Sequence, residues 1–87
     1  MKELIIKKYI DNITKSDIYN FGVKNNIILD DKELDIIYYY IKKDWKVIIF
    51  GNINPILNEL KEKVNTYKLT KIVKLYNEFK EKYKNFL

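Results

Sequence analysis

Asp30, Asp31, Glu33 and Asp35 place four carboxylates within one short stretch, the only constellation in the chain from which acid–base or metal-assisted chemistry could be assembled. The same residues have a simpler use. An aspartate followed three positions later by glutamate, ahead of an apolar run, is a capping signal. Acidic side chains in a first helical turn also gain about 0.3–1 kcal/mol each from the helix macrodipole. Capping therefore accounts for the cluster without a substrate. A magnesium site would need carboxylates converging from several elements, or the phosphates of a substrate. Histidine and cysteine are absent, which removes imidazole bases, thiolate nucleophiles, disulfides and the usual zinc, iron or copper ligands. The only glycines are Gly22 and Gly51, so no glycine-rich phosphate loop exists. The sequence reads as that of a non-enzyme, with no catalytic, cofactor-binding or metal residue and no cofactor.

Binding is the remaining chemistry. Tyr38, Tyr39 and Tyr40 suggest a stacking platform, but consecutive helical residues point about 100° apart and cannot share one face. Trp45, the single tryptophan, lies beside Lys42, Lys43 and Lys46 and suits either a contact hot spot or the closure of a small core. Most lysines are explained by helix electrostatics: Lys42, Lys43, Lys80, Lys82 and Lys84 fall near expected helix C-termini, and Glu59 to Lys63 and Glu78 to Lys82 are spaced as i,i+4 pairs. Lys68, Lys71 and Lys74 are not so explained, because they occupy the first half of the last helix, against the dipole. These three lysines and Trp45 are the candidate partner-binding residues.

The elements that must position them follow from apolar spacing and punctuation. A first helix runs from Lys2 to about Asn12, with Ile6, Tyr9, Ile10 and Ile13 on its inner side. Thr14 with Asp17 caps a second, Lys15 to about Lys24, with Ile18 and Phe21 inward, Gly22 permitting close packing, and Asn25-Asn26 ending it. Asp30 caps a third, Asp31 to about Lys43, apolar nearly all round and hence central. Trp45 to Phe50 is a β-branched run that reads as extended by local propensity, an apolar loop over the core. Asn54-Pro55 starts a fourth helix with Ile56, Leu57, Leu60, Val64 and Tyr67 inward. Thr66 caps a fifth, on which Leu69, Ile72, Val73, Tyr76, Phe79, Tyr83 and Phe86 form one stripe.

This pattern resembles the YqfT-like family, short helical proteins of Bacilli and related low-GC bacteria. The likeness rests on Ile13-Thr14-Lys15, on Ile27-Ile28-Leu29-Asp30-Asp31-Lys32-Glu33, and on the stretch from Thr66 to Phe79 with Ile72, Val73, Leu75 and Tyr76. It covers most of the chain. The chain departs from the family pattern in lacking a proline at position 67 and in the more apolar stretch Trp45 to Phe50. The resemblance implies a compact helical fold in a bacterial cytoplasm and no functional residue. More locally, Lys15 to Lys43 resembles helix-extended-helix modules, some of which bind nucleic acid.

Composition sets the remaining bounds. The 87 residues make one domain, residues 1–87, and with 47% hydrophobic residues the chain can fold without metal or disulfide. Lysine, isoleucine, asparagine and tyrosine are abundant while alanine, arginine and glutamine are absent, the imprint of AT-rich codons, so part of the net charge of +5 is drift. The charge is uneven: +2 over residues 1–29, −1 over 30–54 and +4 over 55–87. Without arginine, any nucleic-acid contact lacks the bidentate reading of guanine and rests on phosphate charge. No segment has the apolar length of a signal core or a membrane span. The expectation is a compact, cytoplasmic, all-α bundle of about five short helices with an extended apolar loop around residues 45–50. It would bind another protein, possibly a second copy of itself. The alternative is non-specific nucleic-acid binding through the C-terminal lysines, and neither a membrane nor a small-molecule substrate is implied.

Overall fold

The computed structural model describes residues 2–85, which form five helices: α1 (Lys2–Asn12), α2 (Lys15–Lys24), α3 (Asp31–Phe50), α4 (Asn54–Lys63) and α5 (Thr66–Lys82). Among the described residues there is no strand, and the all-α expectation holds. Phe86, expected at the end of the α5 stripe, lies outside the described residues. The chain divides into two compact units, residues 1–45 and 46–87, with the division inside α3.

In residues 1–45 the helix starts are built as the sequence indicates. Thr14 Oγ1 accepts from the Asp17 amide at 3.1 Å while the Asp17 carboxylate accepts from the Thr14 amide at 2.9 Å. Asp30 and Glu33 repeat the reciprocal pair at 2.8 and 3.0 Å, and this role buries Glu33. Asn26 takes the left-handed conformation (φ 62°) that ends α2. Gly22 is required there by space: a Cβ would fall 2.6 Å from the Ile27 carbonyl oxygen, on backbone that the Ile27 amide ties back to Gly22 O at 2.8 Å. Ile10, Ile18, Ile27, Leu29 and Tyr40 are buried. Tyr9 and Phe21, expected inward, are exposed instead. On such short helices the covered face is narrow, and neighbours of Ile10 and Ile18 fall outside it.

Trp45 to Phe50 is helical, not an extended loop. Helical dihedrals lapse at Asp44 (φ −115°, ψ 26°), a kink that ends the helix expected from Asp31 to about Lys43 and begins a second helical segment, Trp45 to Phe50. The β-branched preference of Val47, Ile48 and Ile49 amounts to a few tenths of a kcal/mol per residue and yields to tertiary hydrogen bonds. In residues 46–87 the Tyr76 hydroxyl donates to Ile48 O and the Lys80 ammonium to Ile49 O, both at 2.5 Å, and the Gly51 amide donates to Val47 O at 2.9 Å. The carbonyls that a helix end leaves without partners are thereby satisfied. Two further boundaries move by one residue. Asn65, not Thr66, caps α5, accepting from the Lys68 amide at 3.1 Å. Asn54 lies inside α4, whose N-cap is Ile53, with proline in the first turn. Ile56, Leu60, Val64 and Leu69 are the buried apolar residues here.

Candidate binding surfaces

The acidic cluster dissolves into structure. Asp30 and Glu33 hold backbone amides, and Asp35 accepts from Lys15 Nζ at 2.7 Å, the hydrogen bond that chiefly raises the Lys15 pKa. Among the described residues no group of three or more acidic side chains converges as a metal site would need. The tyrosine triplet diverges as helical geometry requires: Tyr38 is half-buried, Tyr39 exposed and Tyr40 buried, with the last two rings edge to face at 5.3 Å. Lys15 and Lys42 stand 5.4 and 5.5 Å from the centre of the Tyr38 ring. Both cations have other work, Lys15 on Asp35 and Lys42 on Ile10 O and Asp11 O at 2.7 and 3.0 Å. Lys42 and Lys43 end the first segment of α3, just before the break at Asp44, as expected; their ammonium groups reach further, Lys42 closing α1 and Lys43 donating to the Tyr39 hydroxyl at 3.0 Å.

Trp45 is 8% exposed, a core side chain. A hot spot presents its ring before binding, and this ring is already covered.

The exposed apolar surface of residues 1–45 lies elsewhere. Leu4, Ile5 and Tyr9 of α1 are 68, 65 and 69% exposed, while the helix buries only Ile10. Ile5 and Tyr9, four apart, form one ridge along the helix, and Leu4 lies about 100° round from Ile5. Lys7 and Asp11 pair beside them at 2.7 Å. Phe21 and Ile28 add exposed apolar area around the α2–α3 joint. Periodicity marks these positions as apolar, but it does not reveal which of them the fold leaves uncovered.

The three singled-out lysines occupy the first half of α5, as expected. Lys68 and Lys71 are half-buried and Lys74 is exposed beside a shallow open groove along the helix, shared with Thr70, Asn77, Glu78 and Glu81. Tyr67 was expected on the inner face of α4. Because α4 ends at Lys63 and Val64 is extended (φ −120°, ψ 140°), Tyr67 falls in the first turn of α5, 70% exposed, with Lys71 Nζ 4.5 Å from its ring centre. Lys71 is thus joined by an aromatic ring whose apolar spacing suggests the core. Tyr67 and Lys71 stand four apart, and this i,i+4 spacing was the available signal.

Compared with protein-family models, curated proteins and solved structures, the chain matches none.

Proposed function

We propose that this chain is a small cytoplasmic adaptor of the YqfT-like kind, without catalysis of its own, which docks another protein on the exposed side of α1. The supporting observation is the Leu4, Ile5 and Tyr9 patch, three large apolar side chains each about two-thirds exposed on an eleven-residue helix. Residues 1–45 hold eight lysines and eight carboxylates, so no net field recruits a polyanion to this side. The patch instead fits a partner helix with an apolar ridge edged by charges of both signs, meeting Ile5 and Tyr9 as ridge and Lys7, Lys8 and Asp11 as rim. The family likeness belongs to the same proposal.

The test is affinity capture from nuclease-treated lysate at moderate salt, comparing the wild type with Ile5→Lys/Tyr9→Lys, alongside light scattering of the purified protein. Both side chains are exposed, so the variant should melt with the wild type. The expected result is a stoichiometric protein that binds the isolated wild-type chain directly and is lost from the variant. Equal capture by both chains, loss of every partner on nuclease treatment, or self-association through the patch would each defeat this reading.

A further inference from the structure

Residues 46–87 carry the whole of the net charge, nine lysines against four carboxylates, where residues 1–45 hold eight of each. Codon drift toward lysine would act on both units alike, and lysine density is nearly the same in the two. The carboxylates make the difference. Part of the excess falls on the first half of α5, where Lys68, Lys71 and Lys74 follow Tyr67, itself in the first turn at the positive end of the helix dipole. Lys71 covers one face of the Tyr67 ring at 4.5 Å, and with 70% of the residue exposed the other face is open to a flat ligand. At 1.5 Å rise per residue, Lys74 stands about 10 Å along the axis from Tyr67, beyond Lys71 in the same direction, so the cations form a row leading away from the ring. Glu78 and Glu81, on the following turns of the same side, separate these lysines from Lys82.

From this arrangement we infer that the first half of α5 binds single-stranded nucleic acid, with a base stacked on Tyr67 and neighbouring phosphates held by Lys68, Lys71 and Lys74. The stacked ring demands an unpaired base, which a duplex does not present. Lysines without arginine supply point-charge contacts to phosphate and no base-edge reading, so binding is tolerant of sequence and steeply dependent on salt. The site is separate from the α1 patch and does not depend on it.

Fluorescence anisotropy of the full chain with labelled oligouridine and oligothymidine tests the inference, with duplex DNA and phosphatidylglycerol vesicles as competitors. Tyr67→Leu, which keeps apolar bulk but removes the π face, should weaken binding roughly 5- to 100-fold, whereas Tyr67→Phe should stay within about twofold. Lys74→Gln, at an exposed position, should lower the salt slope by about 0.7, and Lys68→Gln/Lys71→Gln/Lys74→Gln by about 2. Asp31→Asn/Asp35→Asn adds the same net charge to the other unit as two lysines would, and should leave affinity within about twofold if place rather than total charge matters. Four results would overturn the inference: no saturable binding at low salt, equal affinity of Tyr67→Leu and wild type, preference for duplex or vesicles over single strands, or an unchanged slope in Lys74→Gln.

Discussion

Residues 1–45 and 46–87 use nearly the same density of lysine to different ends. In the first unit lysines are matched in number by carboxylates, and those resolved in contacts are engaged: Lys7 on Asp11, Lys15 on Asp35, Lys42 on the carbonyls that end α1. Its helices α2 and α3 begin with reciprocal capping boxes, and its outward surface is apolar along α1. In the second unit carboxylates are half as many, the N-cap of α4 is the apolar Ile53 with the Asn52 side chain accepting from the Asn54 amide at 3.0 Å, and α5 has a one-sided cap from Asn65. Side chains there are directed to a helix end instead, Tyr76 and Lys80 onto the last carbonyls of α3. A formal charge of +5 is thus not a property of the molecule as a whole. It belongs to one unit, and the chemistry of the two surfaces differs accordingly.

The largest effect expected inside this comparison is at its boundary. Trp45→Ala should cost about 3–5 kcal/mol in chemical denaturation, because it removes a large buried ring. At roughly 0.05–0.15 kcal/mol per residue that is a large share of the total stability. Trp45→Phe, which retains most of the apolar bulk, should fold and should leave both protein capture and oligonucleotide affinity unchanged. If Trp45→Phe were as stable as the wild type yet lost a partner, the tryptophan would be a contact residue, and the assignment of binding to α1 and α5 would break.

Smaller and more discriminating is the pair Asp30→Ala and Asn65→Ala. Removing an N-cap costs about 0.5–2 kcal/mol. Asp30 Oδ1 is the acceptor for the amide of the buried Glu33, which alanine would remove from a part-buried site, so its loss should fall at the upper end and that of Asn65, at an exposed cap, at the lower end. Equal costs, measured by urea denaturation, would mean that the reciprocal caps of the first unit add nothing over the single cap of the second.

These caps were the most legible part of the fold. Thr14 with Asp17 and Asp30 with Glu33 act within three residues, so the sequence carries all the atoms concerned, and Asn25-Asn26 does the same at the end of α2. The helicity of Trp45 to Phe50 was not legible, because the groups that satisfy its terminal carbonyls lie 28 and 31 residues away at Tyr76 and Lys80. Half of the candidate α5 site was readable: Lys68, Lys71 and Lys74 stood out as cations at the wrong end of a dipole. Tyr67 did not, since Val64 to Tyr67 continues the α4 spacing until the backbone at Val64 turns extended. The α1 patch was hidden for another reason. Ile6, Tyr9, Ile10 and Ile13 share a helical period, and only the packed structure separates the buried Ile10 from the exposed Tyr9. The charge partition needed only lysine and acid counts, but the place to cut, after residue 45, comes from the folded units, and there it is neutral against +5.

The smallest effect tests whether the end of α3 is held as described. Tyr76→Phe removes the hydroxyl that donates to Ile48 O and should cost about 0.5–1.5 kcal/mol at neutral pH. Burial raises the Tyr76 pKa above the ordinary phenol value, so the folded state favours the protonated hydroxyl. Its contribution is therefore complete below the unfolded pKa near 10 and is lost as pH rises from there through the higher folded value. The difference in stability between wild type and Tyr76→Phe should be constant from neutral pH to about pH 9 and shrink above about pH 10. Lysine titration affects both proteins alike and cancels. A stability difference that persists unchanged into alkali would mean that the hydroxyl contributes by packing alone. The helical state of Trp45 to Phe50 would then rest on Lys80 and the Gly51 amide, and Lys80→Met should cost more than Tyr76→Phe.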